Sequence, residues 1–124
     1  MLSDDKYTIE ILKYLGADAV IEGDTVTVDS TDICRHNIPK YLMEEMRSSI
    51  IFLGALASRC GNACLYLPGG CDIGLRPIDF HISGLKSLGY SILFAGNDIC
   101  CVIKYALSNT VVLPFSSVGA TENL

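Results

Sequence analysis

The stretch Pro68-Gly69-Gly70-Cys71-Asp72-Ile73-Gly74-Leu75-Arg76-Pro77-Ile78-Asp79 gathers the residue types most able to do chemistry. Glycines on both sides of Cys71 allow the backbone to approach a ligand closely. The stretch lies between a strand pattern and a helix pattern, where functional residues concentrate. Arg76 favours the thiolate form of Cys71, and Asp72 opposes it. Pro77 suits a first helical turn, and Asp79 sits near that helix N-terminus, where negative charge is favoured. A Gly-rich loop entering a helix is also a ready anion site. From the residues alone two readings stand: an anion-binding loop with a reactive thiol, or a Gly-rich turn holding an inert small residue.

The other candidates are weaker. Cys60 and Cys64 have three residues between them, and Cys100 and Cys101 are adjacent. Neither spacing has the second paired half of a zinc site, so we expect structural thiols, no metal and no cofactor. A Cys71-His81-Asp79 hydrolase triad is disfavoured because positions two apart on a helix do not face each other. His81 reads as a helix-surface or packing residue, and Arg35 and Arg59 as solvated charges.

Composition bounds the rest. The 124 residues are 50% hydrophobic and 19% charged, with six cysteines and a net charge of -5. Mean hydropathy is +0.40 and the pI is about 4.8. Such a chain can build one core and is not a disordered tail. Its acidity argues against sequence-independent nucleic-acid binding. The longest apolar run, 50–57, is far short of the ~18 to 20 residues that span a bilayer. The N-terminus lacks the basic and apolar regions of a signal peptide. We therefore expect a cytoplasmic protein with free thiols.

An internal repeat supplies the elements that must position the loop. Leu12-Lys13-Tyr14-Leu15-Gly16 resembles Leu85-Lys86-Ser87-Leu88-Gly89 at an offset of 73, and Gly23 and Gly96 share that offset. Each copy reads as an amphipathic helix stopped by Gly, then a strand, a Gly-containing turn and a second strand. Between the copies the periodicity predicts one helix over 41–58, ended by Gly61, and a strand over 63–67. The same offset predicts a helix beginning near residue 117. We read the chain as a piece of a larger repeated α/β unit. Its cut apolar faces would be exposed and would invite self-association.

The loop resembles the signature of the UDP-N-acetylglucosamine 1-carboxyvinyltransferase family of enolpyruvyl transferases. The resemblance runs on through His81-Ile82-Ser83-Gly84-Leu85 and Leu88-Gly89. It extends back through Met46-Arg47-Ser48-Ser49 and Leu15-Gly16-Ala17, and reappears at Ser117-Val118-Gly119-Ala120-Thr121-Glu122-Asn123. It implies an α/β fold of repeated units (an inside-out α/β barrel), with residues 1–124 one partial domain. The implied reaction moves the enolpyruvyl group of phosphoenolpyruvate to the 3-hydroxyl of UDP-N-acetylglucosamine and releases phosphate. This is the first committed step of peptidoglycan synthesis. Cys71 matches the family's general acid, which is also the fosfomycin target. Arg47 and Arg76 match arginines that hold anionic groups. Arg76, Pro77, Ile78, Asp79 and Phe80 match a segment lining the nucleotide-sugar site, and Ser117, Val118 and Gly119 one that contacts the UDP portion. The shikimate-pathway relative shares the fold but lacks the cysteine loop.

The family's N-terminal Lys-Asn pair and its second domain have no counterpart here. Phe115-Ser116 stand where some relatives carry a basic residue. The resemblance therefore implies that this chain alone is catalytically inert. The alternative is a non-catalytic nucleotide-sugar or anion-binding module derived from the family. An unrelated cysteine hydrolase is a third class.

Overall fold

The computed structural model describes residues 3–46, 49–67, 78–105 and 107–124. Cys71, Arg47, Arg76 and Pro77 lie outside the described residues. Helix α1 (Ser3–Leu15) leads into the hairpin β1 (Asp18–Glu22) and β2 (Thr25–Asp29). A short strand β3 (Asn37–Ile38) precedes α2 (Lys40–Glu45), a 3-10 turn (Ser49–Ile51) and α3 (Phe52–Cys60). Then come β4 (Asn62–Tyr66), α4 (Asp79–Ser87), the hairpin β5 (Tyr90–Ala95) and β6 (Asp98–Ile103), and α5 (Val118–Asn123).

The repeat survives as geometry. Gly16 and Gly89 both end a helical segment with positive φ, 108° and 92°. Any side chain on Gly89 would meet the Tyr105 carbonyl oxygen, so this position excludes a Cβ on two counts. Gly23 and Gly96, at φ 59° and 61°, open two-residue hairpin turns, the conformation such turns demand.

The two hairpins meet different fates. β1 and β2 form a separate two-stranded sheet, whereas β5 and β6 join a four-stranded sheet in the order β3-β4-β6-β5. In that sheet β3 runs parallel to β4, and the other pairs are antiparallel. Ala63 and Leu65 of β4 and Ile99 and Cys101 of β6 alternate inward at 0% exposure, the period-2 pattern of a half-buried sheet. They pack with Ile11, Leu15, Met43, Met46, Leu53, Leu56, Ala57 and Leu85 in one core. Ile21, Val26, Val28, Leu93 and Phe94 remain exposed. No helix among the described residues is long and apolar enough to cross a membrane.

Three expectations are corrected. The helix over 41–58 is broken. Met46 is extended (φ -122°, ψ 115°), and the Ser49 hydroxyl donates to the Met46 carbonyl at 2.7 Å. Ser49 is buried and begins the 3-10 turn that leads into α3, so apolar periodicity runs on across a change of backbone conformation that it does not report. The expectation of free thiols fails at Cys64 and Cys100, which form a disulfide. They face each other directly across the β4–β6 register, a pairing that composition cannot reveal. Cys34, Cys60 and Cys101 are free. Arg35 and Arg59 are exposed but not merely solvated. Arg35 donates to the Tyr14 carbonyl, and Arg59 to the carbonyls of Ser30 and Thr31. Both tie down the connection between β2 and β3.

The disulfide closes a sequence separation of 36 residues. Reduction is expected to lower stability by about 4 kcal/mol through the released chain entropy, measured by urea denaturation with and without dithiothreitol. Peptide mapping of the unreduced chain should recover a Cys64–Cys100 crosslink. Identical denaturation curves and no crosslinked peptide would refute the pairing.

Candidate functional site

Two of the candidate segments come together at one end of the helical layer. Ile78 precedes α4, and its carbonyl accepts the Ile82 N–H at 3.0 Å. Asp79 is exposed in the first turn, and Phe80 is half-buried. Ser117 is the N-cap of α5, its hydroxyl accepting from the Ala120 N–H at 3.2 Å, the role serine fills most readily. Its carbonyl takes the Thr121 hydroxyl at 2.7 Å. The rings of Phe80 and Phe115 stand 6.0 Å apart and tilted by 44°, within the range of a favourable aromatic pair. This contact links the α4 segment to the approach to α5.

An open groove of about 470 Å³ runs along Phe115, Ser117, Val118 and Thr121. Val118 is 76% exposed and Phe115 74%, apolar groups open to solvent beside polar hydroxyls. Gly119 lies against the His81 ring, where an added Cβ would be 3.5 Å from Cε1. The structure thus brings Phe80, Ser117, Val118 and Gly119 to one place. The residues proposed for the reacting centre, Cys71 and Arg47 with Arg76, fall outside the description.

What holds α5 there escaped the sequence reading. Asn123, at its far end, is buried at 5% exposure. Its side chain accepts the Gly54 N–H at 2.7 Å and reaches His81 Nδ1 at 2.8 Å. A Cβ on Gly54 would collide with the Asn123 carbonyl oxygen, and one on Gly84 with the Leu124 side chain. The only available signal was Gly inside helical patterns at Gly54 and Gly84, which marks a packing reason when it occurs.

His81 is the packing residue of the two alternatives, and Asn123, not Asp79, is its partner. Burial alone pulls its pKa below the ordinary value, because an imidazolium there would lose its hydration. Cys101 is pushed up to about 11 by burial, which keeps it a thiol with little nucleophilicity. Among the described residues no group of three His, Cys, Asp or Glu could hold a metal.

Comparison with known proteins gives a consistent picture. The family model for EPSP synthase (3-phosphoshikimate 1-carboxyvinyltransferase) matches residues 1–124. A UDP-N-acetylglucosamine 1-carboxyvinyltransferase of Buchnera aphidicola subsp. Baizongia pistaciae is 46% identical over 121 residues, covering 97% of this chain and 29% of that protein. UDP-N-acetylglucosamine 1-carboxyvinyltransferase 2 of Caldanaerobacter subterraneus subsp. tengcongensis is 44% identical over 123 residues, covering 99% and 30%. The chain therefore spans under a third of the length of these curated relatives. The crystal structure of the enolpyruvyl transferase NikO from Streptomyces tendae superposes with a TM-score of 0.66. Identity there is 24%, with 84% of this chain and 23% of that one covered. That likeness shows the fold.

Two outcomes are expected. Because the folded-state pKa of His81 is depressed, the unfolded chain binds the extra proton first. The contribution of neutral His81 is present in full above the unfolded value of ~6.5 and is lost as pH falls below it. Denaturation midpoints should drop from pH ~7.5 to ~5, with a shallower drop in His81→Gln. Separately, Gly54→Ala should cost about 1–3 kcal/mol by forcing backbone apart. Gly84→Ala, which meets the movable Leu124 side chain rather than backbone, should cost less than Gly54→Ala in the same urea titration.

Proposed function

The chain belongs to the EPSP synthase (3-phosphoshikimate 1-carboxyvinyltransferase) family, and on that premise we propose that it is part of a UDP-N-acetylglucosamine 1-carboxyvinyltransferase. Residues 1–124 form part of one domain, the one carrying the cysteine loop. The substrates are phosphoenolpyruvate and UDP-N-acetylglucosamine, and the setting is cytoplasmic peptidoglycan synthesis, with fosfomycin as inhibitor. The observation that carries the proposal is the identity to relatives of that name across nearly the whole chain. The presence of Cys71 within Pro-Gly-Gly-Cys argues for this acceptor over the shikimate one.

In this reading the sugar 3-hydroxyl gives its proton to a base supplied by the rest of the enzyme as its oxygen bonds to C2 of phosphoenolpyruvate, and Cys71 gives a proton to the C3 methylene. The product is a tetrahedral phospho-ketal. Phosphate leaves C2 with the proton held by that base, and a methyl proton returning to the Cys71 thiolate restores the vinyl ether. Protonating a vinyl carbon requires a positioned acid shielded from bulk water. Arg47 and Arg76 offer planar forks for phosphate and carboxylate. Ile78, Asp79 and Phe80 line the nucleotide-sugar side with Ser117, Val118 and Gly119. The closeness of Phe80 to Phe115 supports that grouping. Exposed Val118, Phe94 and Leu93 support contact with further protein, whether the rest of the fold or a second copy. Neither nucleic acid nor membrane is a partner.

Titrating UDP-N-acetylglucosamine into the ¹⁵N-labelled chain should shift the amides of Phe80, Ser117, Val118 and Gly119, and N-acetylglucosamine alone should not. With both substrates, phosphate release by this chain alone should stay at background. Absence of the amide shifts at saturating nucleotide sugar would overturn the substrate reading, and stoichiometric phosphate release would overturn the inertness. Binding without turnover after a complementary second domain is added would favour the non-catalytic module.

A further inference from the structure

We propose that Asn123 and His81 are positioning residues, a buried side-chain relay that clamps the α5 segment bearing Ser117, Val118 and Gly119 onto α3 and α4. Its functional sense rests on the nucleotide-sugar reading above; its geometry does not. The relay begins at the Gly54 N–H, in the first turn of α3, where amide donors lack α-helical partners. A backbone N–H can only donate, so the Asn123 atom facing it at 2.7 Å is the carbonyl oxygen Oδ1. That orientation points Nδ2 at His81 Nδ1, 2.8 Å away. Nδ2 has only hydrogens to offer, so Nδ1 must present a lone pair and the imidazole proton sits on Nε2. One amide side chain thereby sets the tautomer of a histidine 42 residues away in sequence. No buried side-chain nitrogen or oxygen among the described residues lacks a partner.

The relay matters because α5 cannot hold itself. It has six residues, far below the length at which an isolated helix is stable. Its N-terminal turn is tied to the rest of α5 by the Ala120, Thr121 and Leu124 amide bonds. Its far end is fixed by Asn123 and by Leu124 against Gly84, and its first turn rests through Gly119 against the His81 ring. Asn123 and His81 therefore act on the candidate binding residues through the helix, without needing to touch a ligand.

The test uses hydrogen exchange and ¹⁵N NMR on the 124-residue chain. Asn123→Ala should raise exchange at the Thr121 and Leu124 amides by about ten- to a hundred-fold, with the Leu65 and Cys101 amides unchanged within about two-fold. Wild-type His81 should show an unprotonated Nδ1. Asn123→Asp, which keeps the acceptor for Gly54 but offers no donor, should move the proton to Nδ1 and raise the His81 titration midpoint. His81→Gln, which keeps an acceptor, should preserve α5 protection where His81→Leu loses it. Unchanged α5 exchange in Asn123→Ala, a protonated wild-type Nδ1, or equal loss in His81→Gln and His81→Leu would each overturn the proposal. If Asn123→Ala loses protection in the sheet as well, the His81 pair and the tautomer decide. Should α5 respond as expected while nucleotide sugar shifts nothing in the wild type, the relay stands and the substrate reading falls.

Discussion

The carbonyl oxygen of Asn123 occupies the space that any side chain on Gly54 would need. The arrangement of the helical layer follows from this close approach. α5 reaches α3 and α4 at two glycines, where backbone and side-chain ends can come nearer than ordinary helix packing allows. At such a distance polar groups on the two elements cannot be left unpaired, since an unsatisfied buried group costs on the order of 1–3 kcal/mol. The Gly54 N–H, the Asn123 amide and the His81 imidazole satisfy one another. The Phe80–Phe115 contact and the groove beside Ser117 lie at the other end of the same docking.

The fold also shows how one repeated sequence can be used in two ways. Both hairpins turn through a left-handed glycine and both follow a helix ended by glycine. Only β6 finds a further neighbour, β4, and so becomes an interior strand with Ile99 and Cys101 fully buried. β2 has β1 alone, and all five of its residues are exposed. The difference lies outside the repeats, in where β4 can pair. Cys64 and Cys100 are brought opposite each other by that same pairing.

Thiol environment varies along the chain for local reasons. Cys101 points into the core from β6 and is chemically quiet. Its neighbour Cys100 points to the other face and meets Cys64. Cys34 and Cys60 are exposed. Alternation along a strand thus separates two adjacent cysteines into unrelated roles.

Much of this was legible in the residues themselves. Period and punctuation identified α1, both hairpins, β4, α4 and the start of α5, because glycine at positive φ and alternating or 3.6-period apolar residues act over a few neighbours. The period over 41–58 runs through Met43, Met46, Ile50, Leu53, Leu56 and Ala57, of which all are buried except the half-buried Ile50. The family, too, could be read from the cysteine loop and the segment at 117–123. Tertiary structure alone decided that α2 and α3 are separate: Met46 lies between them with an extended backbone while its side chain is buried in the core. It alone decided the Cys64–Cys100 pairing and the partnership of Asn123 with His81. Each joins residues 36 or more positions apart, and local patterns carry no information about which distant backbone will arrive opposite them.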